Sequence, residues 1–181
     1  MKPETYPEML LEHAALLIAR RRPSAADLRR SCSASYYALF HFFIGEAAKL
    51  FPASGRSYIR RCFHHGEMSK TARVFSSNQQ IVIDTLKGPG QQPTHLTHVA
   101  HRQNKQVAVA PKLKDVARSF VEAQELRENA DYDLAHAITK TEADMAHRRV
   151  IQTIEDWKAV RKTRAAKLFL IACMGMKRQG S

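Results

Sequence analysis

Hydrophobic positions along this chain recur mostly at steps of three and four, the period of an α-helix buried along one face. Met9, Leu10, Leu11, Ala14, Leu17 and Ile18 draw the first such stripe and predict a helix from about Pro7 to Arg20. Arg20-Arg21-Arg22 complements the dipole at its end, and Pro23 stops it. Ser24 and Asp27 form a capping-box start, Ser-x-x-Asp, for a second helix that runs to about Leu50. Pro52-Ala53-Ser54-Gly55 ends it. Within this helix the pattern changes. From Ser33 to Phe43, apolar and aromatic side chains cover nearly every side. A helix apolar all round is enclosed by others, so this segment is expected at the middle of a bundle. Ser31, Ser33, Ala34, Ser35 and Ala38 allow neighbouring backbones close approach.

A third helix is expected from about Ser57 to Phe75, with Gly66 weakening its middle. Ile81-Val82-Ile83 fits either a helical turn or a strand. Residues 76–110 read as a long irregular excursion, broken by Lys87-Gly88-Pro89-Gly90. The helical pattern resumes at Pro111 with Leu113, Val116, Ala117, Phe120, Val121 and Ala123, until Asp131-Tyr132-Asp133 interrupts it. Thr139 or Thr141 caps the last helix, with Glu142 or Asp144 three residues on. Its stripe of Ala146, Val150, Ile154, Trp157, Val160, Ala165 and Leu168 predicts a rod of about thirty residues leading to Lys177-Arg178. The expected architecture is all-α: one domain, an up-and-down helical bundle of four to five helices with a long irregular excursion. No internal repeat or low-complexity tract is visible.

Composition narrows the function more than the fold. Of 181 residues, 44% are hydrophobic and 25% charged, an ordinary globular balance. The 29 Lys and Arg outnumber 17 Asp and Glu, giving a net charge of +12. That excess suits a polyanionic partner, RNA or another nucleic acid first, although a charge kept for solubility is the plainer alternative. Cys32, Cys62 and Cys173 are too few and scattered for a disulfide framework or a thiolate zinc site, and Cys32 and Cys173 are expected as core thiols. The start, Met1-Lys2-Pro3-Glu4, has no signal-peptide pattern, and Leu168 to Met174 is too short to span a bilayer. A cytoplasmic protein with no membrane segment is the expectation.

Three elements carry a family likeness. Leu28-Arg29-Arg30-Ser31-Cys32-Ser33-Ala34-Ser35-Tyr36-Tyr37-Ala38-Leu39-Phe40-His41 resembles the Ser-Arg-Ala-Tyr-Tyr-Ala-Met-Phe-His signature of HEPN-domain proteins. His65-Gly66 is similar to the His-x-Gly that follows in one uncharacterised branch, and Arg127-x-x-Ala-Asp131-Tyr132-Asp133 to that branch's Arg-x-x-Ala-Asp-Tyr. Their order and rough spacing agree. The resemblance implies a helical bundle, often a homodimer, that is either a metal-independent endoribonuclease of toxin–antitoxin type or a non-catalytic module binding RNA or nucleotide. It further implies a nucleotidyltransferase-type antitoxin as partner. Catalytic members carry Arg, a short gap, then His, paired across two subunits. Arg60 and His65 match that spacing here, without the flanking polar residue and Tyr of the catalytic branches.

The chemistry of those residues can be stated directly. RNA cleaves itself when its 2′-hydroxyl loses a proton and the phosphate charge is stabilised; histidine moves protons near neutrality and arginine forks onto phosphate oxygens. Arg60 and His65 are the catalytic candidates, with Arg61 and His65, four apart, better aligned on one continuous helix. Alternatively they form a solvated basic face. Arg56, Arg60, Arg61, His64, Lys70 and Arg73 make the candidate RNA surface, with Tyr58 and Phe63 interleaved and read as core. Arg127 and Asp131 are expected to pair as a structural motif with Tyr36, Tyr37 and an inward-packed Tyr132. Asp131 with Asp133 is a weak carboxylate pair for a hard metal. His95, His98 and His101 converge poorly on a straight helix, so no metal and no cofactor is expected. A helical accessory protein that docks a partner through residues 76–110 is a third reading.

Overall fold

A computed structural model describes residues 5–77, 81–82 and 106–174. Among them are seven α-helices: α1 (Tyr6–Ala19), α2 (Ala25–Ala48), α3 (Arg56–Ile59), α4 (His65–Ser76), α5 (Pro111–Tyr132), α6 (Lys140–Val160) and α7 (Arg164–Cys173). The architecture is an all-α bundle. Ser24 Oγ accepts from Asp27 N at 3.1 Å and Asp27 Oδ2 accepts from Ser24 N at 2.9 Å, so the capping box starts α2 as its sequence predicts. Thr139, the first of the two candidates, caps α6 by accepting from Glu142 N at 3.1 Å.

Helix α2 is the central rod. It packs against α1, α3, α5, α6 and α7, and residues on all its sides are buried between Ser31 and Ala48. Phe43 makes edge contacts to Trp157 on α6 and Phe169 on α7, with centroids 5.1 and 5.6 Å apart. Each such fully buried ring contributes roughly 1.5–3 kcal/mol of hydrophobic stabilisation. Trp157 Nε1 donates to Glu46 Oε2 at 2.8 Å, which gives the indole and a buried carboxylate each a partner. A smaller apolar cluster of Ile18, Leu28, Cys32, Ala130, Ile138 and Ala143 closes one end. Cys32 and Cys173 are buried thiols, as expected.

Two expected rods each fold as two helices. The third breaks between Ile59 and His65, because Phe63 turns into the core and His64 takes an extended backbone at φ −128° and ψ 135°. Gly66 therefore sits in the first turn of α4, not in the middle of a helix. The last rod breaks after Val160, where Thr163 caps a new helix by accepting from Ala166 N at 3.2 Å. The break lets Trp157 and Phe169 share one core. In the stretch 76–110, Ile81 and Val82 pair antiparallel with Val107 and Gln106 as a two-residue strand, and Ile83 lies outside the described residues. His95, His98 and His101 lie outside the described residues, as do Lys177 and Arg178. Among the described residues, no helix is long and apolar enough to cross a membrane.

Candidate functional site

The three elements of the family likeness converge at one place. Tyr36 and Tyr37 come from α2, His65 from the first turn of α4, and Arg127, Asp131 and Tyr132 from the last turns of α5. His65 Nδ1 lies 2.7 Å from the Tyr36 hydroxyl. Its ring stacks on Phe40, with centroids 4.0 Å apart and planes inclined by 25°. Tyr37 meets it edge-on at 5.7 Å. The imidazole is thus held from three sides while remaining half-buried.

Arg127 is the hub. It is buried, and its guanidinium lies 5.4, 5.6 and 5.8 Å from the ring centroids of Tyr36, Tyr37 and Tyr132. Arg127 Nε is 3.4 Å from Asp131 Oδ2, an ion-pair contact without hydrogen-bond geometry. A guanidinium that is buried needs compensation, and ring faces supply much of it here. Asp131 is fixed in turn, since Ser33 Oγ donates to its Oδ1 at 2.5 Å. The expected Arg127–Asp131 pair is therefore present. Tyr132 differs from expectation. It does not pack inward, being 76% exposed, because α5 ends there with the ring on its outer side.

Electrostatics follow from this packing. Burial, reinforced by the nearby charge of Arg127, His41 and His64, holds His65 below its ordinary pKa of 6.5, against an opposing pull from Glu128. The imidazole is neutral near pH 7. Burial pushes the Tyr36 phenol well above its ordinary pKa, so its hydroxyl keeps its proton.

The basic candidates are distributed unequally. Arg60 and Arg61 lie in the turn between α3 and α4, so neither shares a helix with His65, and the expected alignment of Arg61 with His65 on one helix face is lost to the break at Phe63. Both are exposed, and among the described residues neither side chain makes a hydrogen bond or ion pair. His64 is exposed beside them. Arg56 instead donates to Phe51 O at 3.2 Å, Lys70 pairs with Glu67 at 2.8 Å, and Arg73 pairs with Glu125 at 2.7 Å. Lys70 and Arg73 thus have carboxylate partners, whereas Arg56, among the described residues, keeps an uncompensated charge near the turn. Phe63 is core as expected, but Tyr58 is 73% exposed, on the same short segment as the two arginines.

Sequence reasoning passed over Arg29. Its guanidinium donates to the carbonyls of Ala130 (2.8 Å), Asp133 (3.0 Å) and His136 (2.7 Å), with longer contacts to Asn129 and Leu134. It therefore caps the C-terminus of α5 and fixes the turn that follows. Its only sequence signal was membership of the α2 signature. Asp133 Oδ1 accepts from Ala135 N at 3.0 Å and His136 N at 3.3 Å, so it is committed to the turn while Asp131 faces Ser33 and Arg127. Among the described residues, no three His, Cys, Asp or Glu side chains group as a metal site. Compared with known protein families, curated proteins and solved structures, the chain matches none.

Proposed function

We propose that this chain is an RNA-directed HEPN-like protein acting as a metal-independent endoribonuclease. The observation that carries the reading is local. An exposed Arg60-Arg61 pair, without partners among the described residues, leads within a few residues into a neutral imidazole held by Tyr36 and Phe40. The arginines supply phosphate contacts and charge stabilisation. His65 supplies a base, in the tautomer whose Nδ1–H donates to the Tyr36 oxygen and leaves Nε2 bare. Nε2 takes the 2′-hydroxyl proton, the 2′ oxygen bonds to the adjacent phosphorus, and the bond to the 5′ oxygen breaks. The proton taken up on Nε2 then passes to that 5′ oxygen as it leaves, so His65 ends neutral again. The products are a 2′,3′-cyclic phosphate and a free 5′-hydroxyl. A nucleotidyltransferase-type antitoxin fits this reading as a partner, on the family resemblance alone.

The net charge of +12 supports a polyanionic substrate. The competing reading is a module that binds RNA without cutting it. It is favoured by the separation of Arg60 and His65 onto different elements. The test incubates purified protein with single-stranded RNA in EDTA. Cleavage should proceed without metal and leave cyclic-phosphate ends. His65→Gln should lower its rate at least ~100-fold, and Arg60→Ala should lower it too, both with unchanged circular dichroism. Retained cleavage in His65→Gln removes the assignment. No cleavage by the wild type, with binding that Arg60→Ala weakens, establishes the non-catalytic reading instead.

A further inference from the structure

We propose that Tyr132 is a stacking platform for a nucleobase of single-stranded RNA beside Arg127. The inference rests on the RNA-directed reading above and names one of its binding residues. A lone exposed tyrosine says little by itself. This one combines four features.

Tyr132 is 76% exposed, more than any other Phe, Tyr or Trp among the described residues. The Arg127 guanidinium lies 5.8 Å from its centroid, and with so much of the ring in solvent, a broad aromatic surface stays open to a ligand. Its backbone is held. Asp133 N donates to Asn129 O at 3.1 Å, and Arg29 fastens the carbonyls of Ala130 and Asp133, before and after Tyr132 in the chain. A ring on so fixed a support loses little conformational freedom when a base settles on it. Finally, Tyr132 is joined to the candidate catalytic imidazole through Arg127 and Tyr36. Arg127 and Tyr36 thus bridge the exposed aromatic plane and the imidazole.

Stacking needs a π face and nothing else from the base, so this contact tolerates any sequence and demands unpaired nucleotides. The ligand class is therefore single-stranded RNA, not duplex. Leu134, also exposed and two residues on, would serve a protein partner instead, and the test separates the two.

The probe is a short, fluorescently labelled 2′-O-methyl oligouridine, which cannot be cleaved through its 2′ oxygen. Its affinity is read by anisotropy at one fixed low salt concentration. Tyr132→Ala should weaken binding ~5- to 150-fold, the range of one lost stack, while Tyr132→Phe and Tyr132→Trp bind like the wild type. With an abasic oligonucleotide of the same length, wild type and Tyr132→Ala should bind alike. Equal affinity of wild type and Tyr132→Ala for the oligouridine overturns the proposal. So does an equally large Tyr132→Ala loss with the abasic strand, or a loss of affinity in Tyr132→Phe. Wild-type protein that binds no oligonucleotide at all overturns the RNA-directed reading beneath it, a result distinct from the others. Tyr132 is exposed, so its variants should fold as the wild type does, and equal thermal midpoints check it.

Discussion

At the residue scale, histidine burial makes the fold sensitive to acid. Burial holds His41, His65 and His147 below their ordinary pKa of 6.5. His147 is buried against Ser35, whose Oγ lies 3.3 Å from its Nδ1. The folded chain therefore binds protons less readily than the unfolded chain. Stability from these groups is complete above the ordinary histidine pKa and is lost as pH falls through it toward the lower folded values. Urea midpoints should fall from about pH 7 to about pH 5, before most carboxylates protonate. His65→Gln should flatten that slope, since glutamine does not titrate. An unchanged slope would mean that His65 is not among the linked groups. Legibility at this scale was partial. The Arg127–Asp131 pair followed from a spacing of four on one helix. The exposure of Tyr132 and Tyr58 did not, because helix periodicity says nothing about where neighbouring helices stop covering a face.

At the element scale, caps decide boundaries. The Ser24 start was written in the chain, and the Thr139 start was one of two the chain offered, since a capping box is local chemistry within four residues. The C-terminus of α5 is different. Its carbonyls are met by Arg29, about a hundred positions earlier in the chain. Arg29→Ala should cost about 2 kcal/mol of stability in urea unfolding, as a charged donor leaves several carbonyls short of partners. Arg29→Lys should recover only part of it, because a compact ammonium cannot reproduce a planar fork spanning three residues. Full recovery by lysine would show that charge, not geometry, holds the turn. The breaks at Phe63 and after Val160 were hidden for a related reason. Apolar residues at helical steps continue through both, and only packing against the neighbouring helices reveals the turns.

At the scale of the whole molecule, one buried contact ties the centre together. Trp157 on α6 donates to Glu46 on α2, and Glu46 also pairs with Lys49 at 2.5 Å. Trp157→Phe removes the donor and opens a small void, at an expected cost of about 2–4 kcal/mol by thermal or urea unfolding. Glu46→Gln, which still offers an acceptor to the indole, should cost clearly less. Equal losses would mean that the carboxylate charge matters more than the hydrogen bond. The bundle itself was legible because α2 carries apolar side chains on every side, and such a helix has only one place to go.

The chain alone determined the class of fold, the central helix and the capped start of α2, because periodicity, encirclement by apolar groups and capping act over a few residues. Tertiary structure alone decided that Arg127 gathers Tyr36, Tyr37 and Tyr132 around it, and that His65 meets Tyr36. Those contacts join residues far apart in the chain, and no local pattern encodes the packing angles that bring them together.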